Sequence, residues 1–399
     1  MTAPGTTPRA PQGAAVPSQP SRLDAQGRVT VVVVDDSVVQ RRFLRSAAEA
    51  AGDVVVVGEA RDGREAVALV ERLRPSVVLM DLDLPVMSGM EAIERIMAGC
   101  PTPILVCSGF VEGAARSNAL EALSAGAVDV LAKPGPADAG SMDDYADALR
   151  KRLRVASRVR VITHPRGRLR GGEPGPVRRL AGTPTRRPIA TPAAPLVPLR
   201  AVDSVALVAV GASTGGPQAL LTVLSALPGD LEQAVVVVQH MAEGFIPGLA
   251  AWLDGLVPLP VVVGESGRRL APGTVTIAPS GGNLLVQDDR LRVVCVPPDP
   301  GQFHVPGIDA TFSSVAAALG PRACGVLLTG MGRDGAAGLR LMRERGAVTI
   351  GQDEATCAVY GMPAAAAALG AVQHQLAVDR IGGAVLDVVG RGSSARGAS

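Results

Sequence analysis

VALVAVGASTGGPQALLTVLSAL (residues 205–227) begins as an unbroken apolar run, passes through a knot of Gly, Ala, Ser and Thr, and resumes with apolar residues at helical spacing. A short, continuous apolar run bounded by turn residues reads as a strand covered on both faces. Pro217 suits the first turn of the following helix, and Pro228-Gly229 closes it. The turn between them, Gly211-Ala212-Ser213-Thr214-Gly215, is G-x-S-x-G in a strand–turn–helix setting. That setting exposes a serine hydroxyl at the top of a sheet, next to helix-start N–H groups able to hold an oxyanion. A glycine-rich turn of this kind is by itself weak, since tight turns and phosphate cradles look the same. The P-loop alternative fails because no Gly-Lys-Ser/Thr follows.

Downstream, the strand–helix alternation continues through Ala234–Val238, Val261–Gly264, Thr274–Ile277, Arg292–Val296, Cys324–Leu328 and Val348–Ile350. This reads as a doubly wound, mostly parallel α/β domain with some antiparallel elements in the middle. A nucleophilic serine needs a base, and the base needs an orienting carboxylate. His240 ends the strand AVVVVQ, on the rim expected for Ser213, although a histidine at a strand end is more often structural. Asp334 lies in the glycine loop GMGRDG after the strand CGVLLTG. The order Ser213, His240, Asp334 differs from the Ser, Asp, His order of α/β-hydrolases, so the chemistry would be shared but not the fold. Two other histidines belong to this half: His304, in HVPGIDATF, and His374, expected at the surface.

Upstream, strands at Val29–Val34, Val54–Glu59, Ser76–Met80, Ile104–Cys107 and Ala127–Leu131 alternate with helical stretches such as Arg64–Arg72 and Arg116–Ser124, before a last helix from Met142 to near Val155. This is a second parallel sheet with helices on both faces, and ligands of such sheets sit beyond the carboxyl ends of the strands. Asp35 and Asp36, Asp81, Ser108 and Lys133 stand at those ends. A lone aspartate there is ordinarily a helix cap, but this ordered set is not ordinary. Crowded carboxylates call for a cation, and hard oxygen ligands at an open rim suit Mg²⁺. An aspartate beside Mg²⁺ can accept a phosphoryl group, with Lys133 pairing the phosphoryl charge and Ser108 bonding one of its oxygens.

The two halves form five segments: a tail at 1–27, the first domain at 28–157, a Pro/Arg-rich linker at 158–202, the second domain at 203–392, and a tail at 393–399. With 47% apolar but only 2% aromatic residues, the cores must be built of Val, Leu, Ala and Ile. The net charge of +2 points to neither a nucleic-acid nor a membrane partner, and the basic linker reads as a solvated spacer. Cys100, Cys107, Cys295, Cys324 and Cys357 form no CxxC pair and read as free thiols of a reducing compartment. With no signal pattern and no membrane-length apolar run, a cytoplasmic location is expected.

The run DLDLPVMSG (residues 81–89), the preceding Asp35-Asp36 pair, Ser108 and Lys133-Pro134 together resemble the response-regulator receiver family, with its flavodoxin-like sheet. GASTGGP, VVVQHM, TIAP, LLTGMGRDGA and TIGQDEATCAVYGMP resemble, in order, the catalytic domain of the chemotaxis protein-glutamate methylesterases, the CheB family. The resemblance implies Asp81 as phosphoacceptor. Mg²⁺ would be held by Asp36, Asp81 and the Asp83 carbonyl, with Asp35 acting through water. It implies Ser213, His240 and Asp334 as the triad, Thr214 and Met331 in the pocket, and no cofactor in the esterase domain. Substrates would be glutamyl methyl esters, and glutamine amides, on methyl-accepting chemoreceptors. A histidine kinase would be the phosphodonor, and the protein is expected to be a monomer. The unphosphorylated receiver is expected to restrain the esterase, because one chain tethers two reactive rims. Val130 departs from the pattern, standing where many receivers carry an aromatic, and so does Asn283, in Ser280-Gly281-Gly282-Asn283-Leu284, where the family commonly has a Gly-x-x-His-Leu turn; that departure bears on substrate-rim contacts and not on the triad. The competing readings are a receiver-driven binding protein with a silent second domain and a DNA-binding regulator, though no recognition-helix pattern follows the receiver.

Overall fold

The computed structural model describes residues 23–108, 121–133, 142–159, 205–242, 244–302 and 304–390. The expected linker from residue 160 onward, the C-terminal tail, most of the N-terminal tail and most of the expected Arg116–Ser124 helix lie outside these residues.

The first sheet contains β1 (Val29–Val34), β2 (Val54–Ala60), β3 (Val77–Met80), β4 (Ile104–Ser108) and β5 (Asp129–Ala132). Its order is β2-β1-β3-β4-β5, and every pairing is parallel. The β1 run VTVVVV is β-branched throughout and almost wholly buried, as a strand covered on both faces requires. Helices α1 (Val38–Glu49), α2 (Gly63–Leu73) and α3 (Gly89–Gly99) start where Ser37, Asp62 and Ser88 accept hydrogen bonds from the N–H groups of Gln40, Glu65 and Glu91. Gly89 is required by close approach: a Cβ there would stand 2.0 Å from the Asp81 carbonyl oxygen. Helix α4 (Met142–Ala156) closes the domain by burying Leu149 and Leu153.

The second sheet is larger. It holds β6 (Leu207–Ala212), β7 (Ala234–Gln239), β8 (Val261–Val263), β9 (Val275–Ile277), β12 (Ala323–Leu327), β13 (Val348–Gln352) and β14 (His374–Leu376), in the order β14-β13-β12-β6-β7-β9-β8. All six neighbouring pairs are parallel. The antiparallel element is a separate hairpin of β10 (Asn283–Val286) and β11 (Val293–Val296). Helices α5 (Gly216–Ser225), α6 (Ile246–Asp254), α7 (Ile308–Leu319), α8 (Ala336–Glu344), α9 (Met362–Ala368) and α10 (Val378–Val388) flank the sheet.

Three differences from the sequence reading have physical causes. The apolar run stops at Val210, but β6 continues through Gly211 and Ala212, which pair with Val238 and Gln239; small residues carry the ladder up to Ser213. His374 is not at the surface: it pairs with Ile350 on β14 and is 8% exposed, and its burial lowers its proton affinity. Asn283, in a segment read as a turn, begins strand β10 and is buried.

The two domains meet along α4 and α5. Gln218 Nε2 on α5 donates to the Leu123 carbonyl of the receiver at 2.6 Å. Ala358 and Val359 of the catalytic domain pack against the receiver core near Phe43 and Tyr145. All five cysteines are free. Among the described residues, no helix is long and apolar enough to cross a membrane.

Candidate active site

Three adjacent strands, β7, β6 and β12, end at one rim, and each delivers one group. Ser213 follows β6, with its N–H bonded to the Thr329 carbonyl at 3.0 Å. His240 follows β7, with its N–H bonded to the Ala212 carbonyl at 3.0 Å. Asp334 sits in the loop between β12 and α8. The left-handed conformation of the Ser213 turn falls on Gly215 (φ +75°) and not on the serine. Gly330 is required because a Cβ there would come within 2.6 Å of Ser213 Cβ.

Asp334 is the most heavily bonded group at the rim. Its Oδ2 accepts from His240 Nε2 at 2.8 Å and from the Ile308 N–H at 2.8 Å. Its Oδ1 accepts from the N–H groups of Asp309 and Gly335 at 2.9 and 3.0 Å. Ile308 and Asp309 begin α7, so the positive end of that helix also faces the carboxylate. Burial raises the Asp334 pKa, but the His240 ring and the α7 N–H groups outweigh it and bring it down to about 2. An ionised Asp334 can only accept, so His240 Nε2 carries the proton and Nδ1 keeps the lone pair. Nδ1 is buried with no hydrogen-bond partner. In the serine-protease triad the ring serves the carboxylate through Nδ1; here it does so through Nε2.

His304 stacks on His240 with ring centroids 4.5 Å apart and planes 11° from parallel. Burial lowers its pKa, and so do the neighbouring His240, Lys151 and Arg152, to about 4, although Asp334 opposes the shift. The His304 loop is tied down by the residue that departs from the family pattern. Asn283 and Gln302 exchange side-chain hydrogen bonds at 2.8 and 2.9 Å, Asn283 Oδ1 also accepts from the Gly307 N–H at 2.7 Å, and Gln302 Nε2 donates to the His304 carbonyl at 2.6 Å. Asn283 is 3% exposed and shapes the His304 loop from below.

A cleft of about 260 Å³ is lined by Ser213, Thr214, His240, Met241, His304 and Met331, and on its other wall by Asp129, Ala148, Lys151, Arg152 and Val155 of the receiver. Thr214 and Met331 therefore share a cleft with Ser213. Arg152 is held there by Asp129 at 2.7 Å and by the Val130 carbonyl at 3.2 Å. A wider cavity of about 700 Å³ adjoins it past His304, bordered by Asp309, Arg333 and Asp334.

At the receiver rim, ligand atoms of Asp35, Asp36 and Asp81 lie within 4.8 Å of one another. Lys133 Nζ stands 2.6 Å from Asp35 Oδ2 and 2.6 Å from Asp81 Oδ2. Burial raises the Asp81 pKa despite Lys133. Burial disfavours the Lys133 charge, but the two carboxylates outweigh it and raise its pKa. One ammonium among three carboxylates leaves an excess of negative charge, which a divalent cation would relieve, and the donors are all hard oxygens. Ser108 ends β4 beside them and is buried; the Asp83 side chain is exposed and outside the cluster. Val130 is fully buried. An aromatic approaches this rim from α4: Tyr145 Oη lies 3.4 Å from Cys107 Sγ, one residue before Ser108.

Residues 208–385 match the CheB methylesterase family model, and residues 31–140 match the response regulator receiver domain model. Among curated relatives, the protein-glutamate methylesterase/protein-glutamine glutaminase 3 of Paramagnetospirillum magneticum (strain ATCC 700264 / AMB-1) is 39% identical over 369 residues, 92% of this chain and 98% of its own. The corresponding enzyme 2 of Anaeromyxobacter dehalogenans (strain 2CP-C) is 42% identical over 354 residues, 88% of this chain and 95% of its own. The solved catalytic domain of Thermotoga maritima CheB methylesterase is 34% identical, with a TM-score of 0.43, covering 45% of this chain and 96% of that one.

The stacked pair makes a testable prediction. His304 has a folded pKa near 4 against an ordinary 6.5, so its contribution to stability is complete above pH 6.5 and is lost as pH falls towards 4. Asp334 acts lower, between 3.8 and about 2, and does not enter that window. Thermal melts of wild type and His304→Gln across this range should show the wild type losing ground to the variant as pH falls; parallel curves would remove the buried neutral imidazole from the account.

Proposed function

The chain belongs to the CheB methylesterase family, and we propose that Ser213, His240 and Asp334 are its catalytic triad and Asp81 its phosphoacceptor. It is a response-regulator hydrolase of chemotaxis, a protein-glutamate methylesterase and protein-glutamine glutaminase. Its relatives favour this over a receiver-driven binding protein with a silent second domain. The domains we assign are the receiver at 28–157 and the esterase at 203–392. We place the enzyme in the cytoplasm, with a histidine kinase as phosphodonor and the glutamyl side chains of chemoreceptors as substrate.

The observation that carries the triad is the 2.8 Å bond from His240 Nε2 to Asp334 Oδ2 beside Ser213. Ser213 Oγ attacks the ester carbonyl carbon while His240 Nδ1 takes its proton. Asp334 stabilises the imidazolium that forms. The tetrahedral intermediate expels methanol, or ammonia from a glutamine, which leaves with the proton from Nδ1. Water then attacks the acyl-enzyme, giving a proton to Nδ1, which passes it to the departing Ser213 Oγ as glutamate is released. The triad needs no metal for these steps.

At the receiver, Mg²⁺ held by Asp36, Asp81 and the Asp83 carbonyl, with Asp35 through water, would neutralise charge on the incoming phosphoryl group. An Asp81 carboxylate oxygen attacks phosphorus and the donor's leaving group departs. Lys133 pairs the new charge, and Ser108 donates its hydroxyl proton to a phosphoryl oxygen. The resting receiver restrains the esterase, because α4 places Lys151, Arg152 and Val155 across the cleft that holds Ser213. The new charge on Asp81 biases α4 away from that position.

Ser213→Ala should abolish methanol release from methylated receptors with the fold intact, whereas Asp334→Asn should leave a residue of activity from the oxyanion donors; a fully active Ser213→Ala would remove the triad. Incubation with acetyl phosphate and Mg²⁺ should label the wild type but not Asp81→Asn, as read by mass spectrometry. Label that persists in the variant would reject the phosphoacceptor.

A further inference from the structure

We infer that Gln239 is a positioning residue for catalysis, whose side-chain amide aims two backbone N–H groups at the developing oxyanion. The inference rests on the proposed triad and concerns a residue the mechanism above does not use. Gln239 ends β7 and is 1% exposed. Its Nε2 donates to the Ser213 carbonyl at 2.9 Å and to the His240 carbonyl at 2.8 Å. One amide group thus ties together the main chain of the nucleophile and the main chain of the base, 26 residues apart in the first case and adjacent in the second.

The consequence follows from peptide planarity. In a trans peptide the carbonyl of one residue and the N–H of the next point in opposite directions. The Ser213 carbonyl, which also accepts from the Gly216 N–H at 2.7 Å, is held towards Gln239, which turns the Thr214 N–H away from it, and pinning the His240 carbonyl does the same for the Met241 N–H. Thr214 and Met241 line the same cleft as Ser213 and His240. Among the described residues, neither N–H has an acceptor in the protein. Two free, preaimed donors flanking a serine nucleophile are what an oxyanion requires.

The seat of Gln239 is built for it. A Cβ on Gly216 would stand 2.0 Å from Gln239 Oε1 and 2.9 Å from its Cδ, so the start of α5 admits only glycine while the amide is in place. Oε1 itself is buried with no hydrogen-bond partner. A side chain chosen only for packing would be apolar here. The amide costs an orphaned acceptor and returns two held carbonyls, which fits positioning better than stability.

The test uses the full chain activated with acetyl phosphate and Mg²⁺, with methanol release from methylated receptor membranes as the readout. Gln239→Leu removes both donors at similar volume and should lower kcat about a hundredfold, the loss typical of one oxyanion donor, with KM little changed. Gln239→Glu keeps the shape. Its protonated carboxyl can still donate to one carbonyl and its ionised form to neither; a buried carboxyl titrates as high as about pH 8–9. The activity of Gln239→Glu relative to wild type should therefore fall as pH rises from about 6 to 9, with circular dichroism showing both proteins folded throughout. A purely structural amide would leave that ratio flat. Wild-type kcat in both folded variants, a loss confined to KM, or a flat ratio would overturn the inference. Should Gln239→Leu fail to fold, the Gln239→Glu ratio decides alone. Ser213→Ala run in parallel separates the two claims: its inactivity beside fully active Gln239 variants sinks only the positioning role, whereas its activity sinks the triad and this inference with it.

Discussion

The bond from His240 to Asp334 orders the catalytic half of the molecule. Asp334 is largely withdrawn from solvent, its side chain 14% exposed, and a carboxylate so placed is unfavourable by several kcal/mol unless it is paired. Four donors meet it, and hydrogen bonds to a charged group are worth about 1.5–3 kcal/mol each, so the ionised form prevails. Because it prevails, the imidazole presents N–H at Nε2 and leaves Nδ1 as the nitrogen open to a proton. The rest of the rim follows from that choice: α7 has to begin at Ile308 to supply two of the donors, and the Asn283–Gln302 pair has to hold the segment leading into that helix. His304, its carbonyl held by the same pair, stacks over the His240 ring.

Helix α4 stands between the two rims. Its inner face belongs to the receiver core through Leu149 and Leu153, and its outer residues Lys151, Arg152 and Val155 wall the cleft. Tyr145 reaches from the same helix to Cys107, beside Ser108. One helix thus touches a neighbour of the receiver rim and walls the cleft that holds the serine. The size of the effect is bounded: a resting state nine-tenths closed gains only about tenfold from opening. Anything larger needs better alignment at the rim, or docking of the receptor by the receiver.

Much of this was legible in the sequence, for reasons that lie in particular residues. The runs VTVVVV and AVVVVQ are β-branched, uninterrupted and short, so they announce buried parallel strands, and the residue after each run announces a rim. His240, Asp81 and Lys133 follow such runs directly, and Ser213 and Asp334 lie in the glycine turns beyond them. What stayed hidden was set by contacts across the chain. Asn283 looked like a turn residue and is the tie of the His304 loop. His374 looked like a polar surface residue and pairs inside the sheet. Gln239 looked like the end of a strand, and nothing in AVVVVQ says that its amide reaches the carbonyl of Ser213. Gly211 and Ala212 looked like the start of a turn, because small residues continue a ladder without showing it.

The central claim is that Ser213 is the nucleophile and that the resting receiver stands across it. A bulky, dye-linked fluorophosphonate, which reacts with activated serines, tests both parts in one measurement: the rate and position of its adduct, followed by peptide mass spectrometry, on the full chain with and without acetyl phosphate and Mg²⁺. The account predicts a single adduct on Ser213 that forms faster once the phosphodonor is present. An adduct on another residue, or a Ser213 rate unmoved by the phosphodonor, would contradict it.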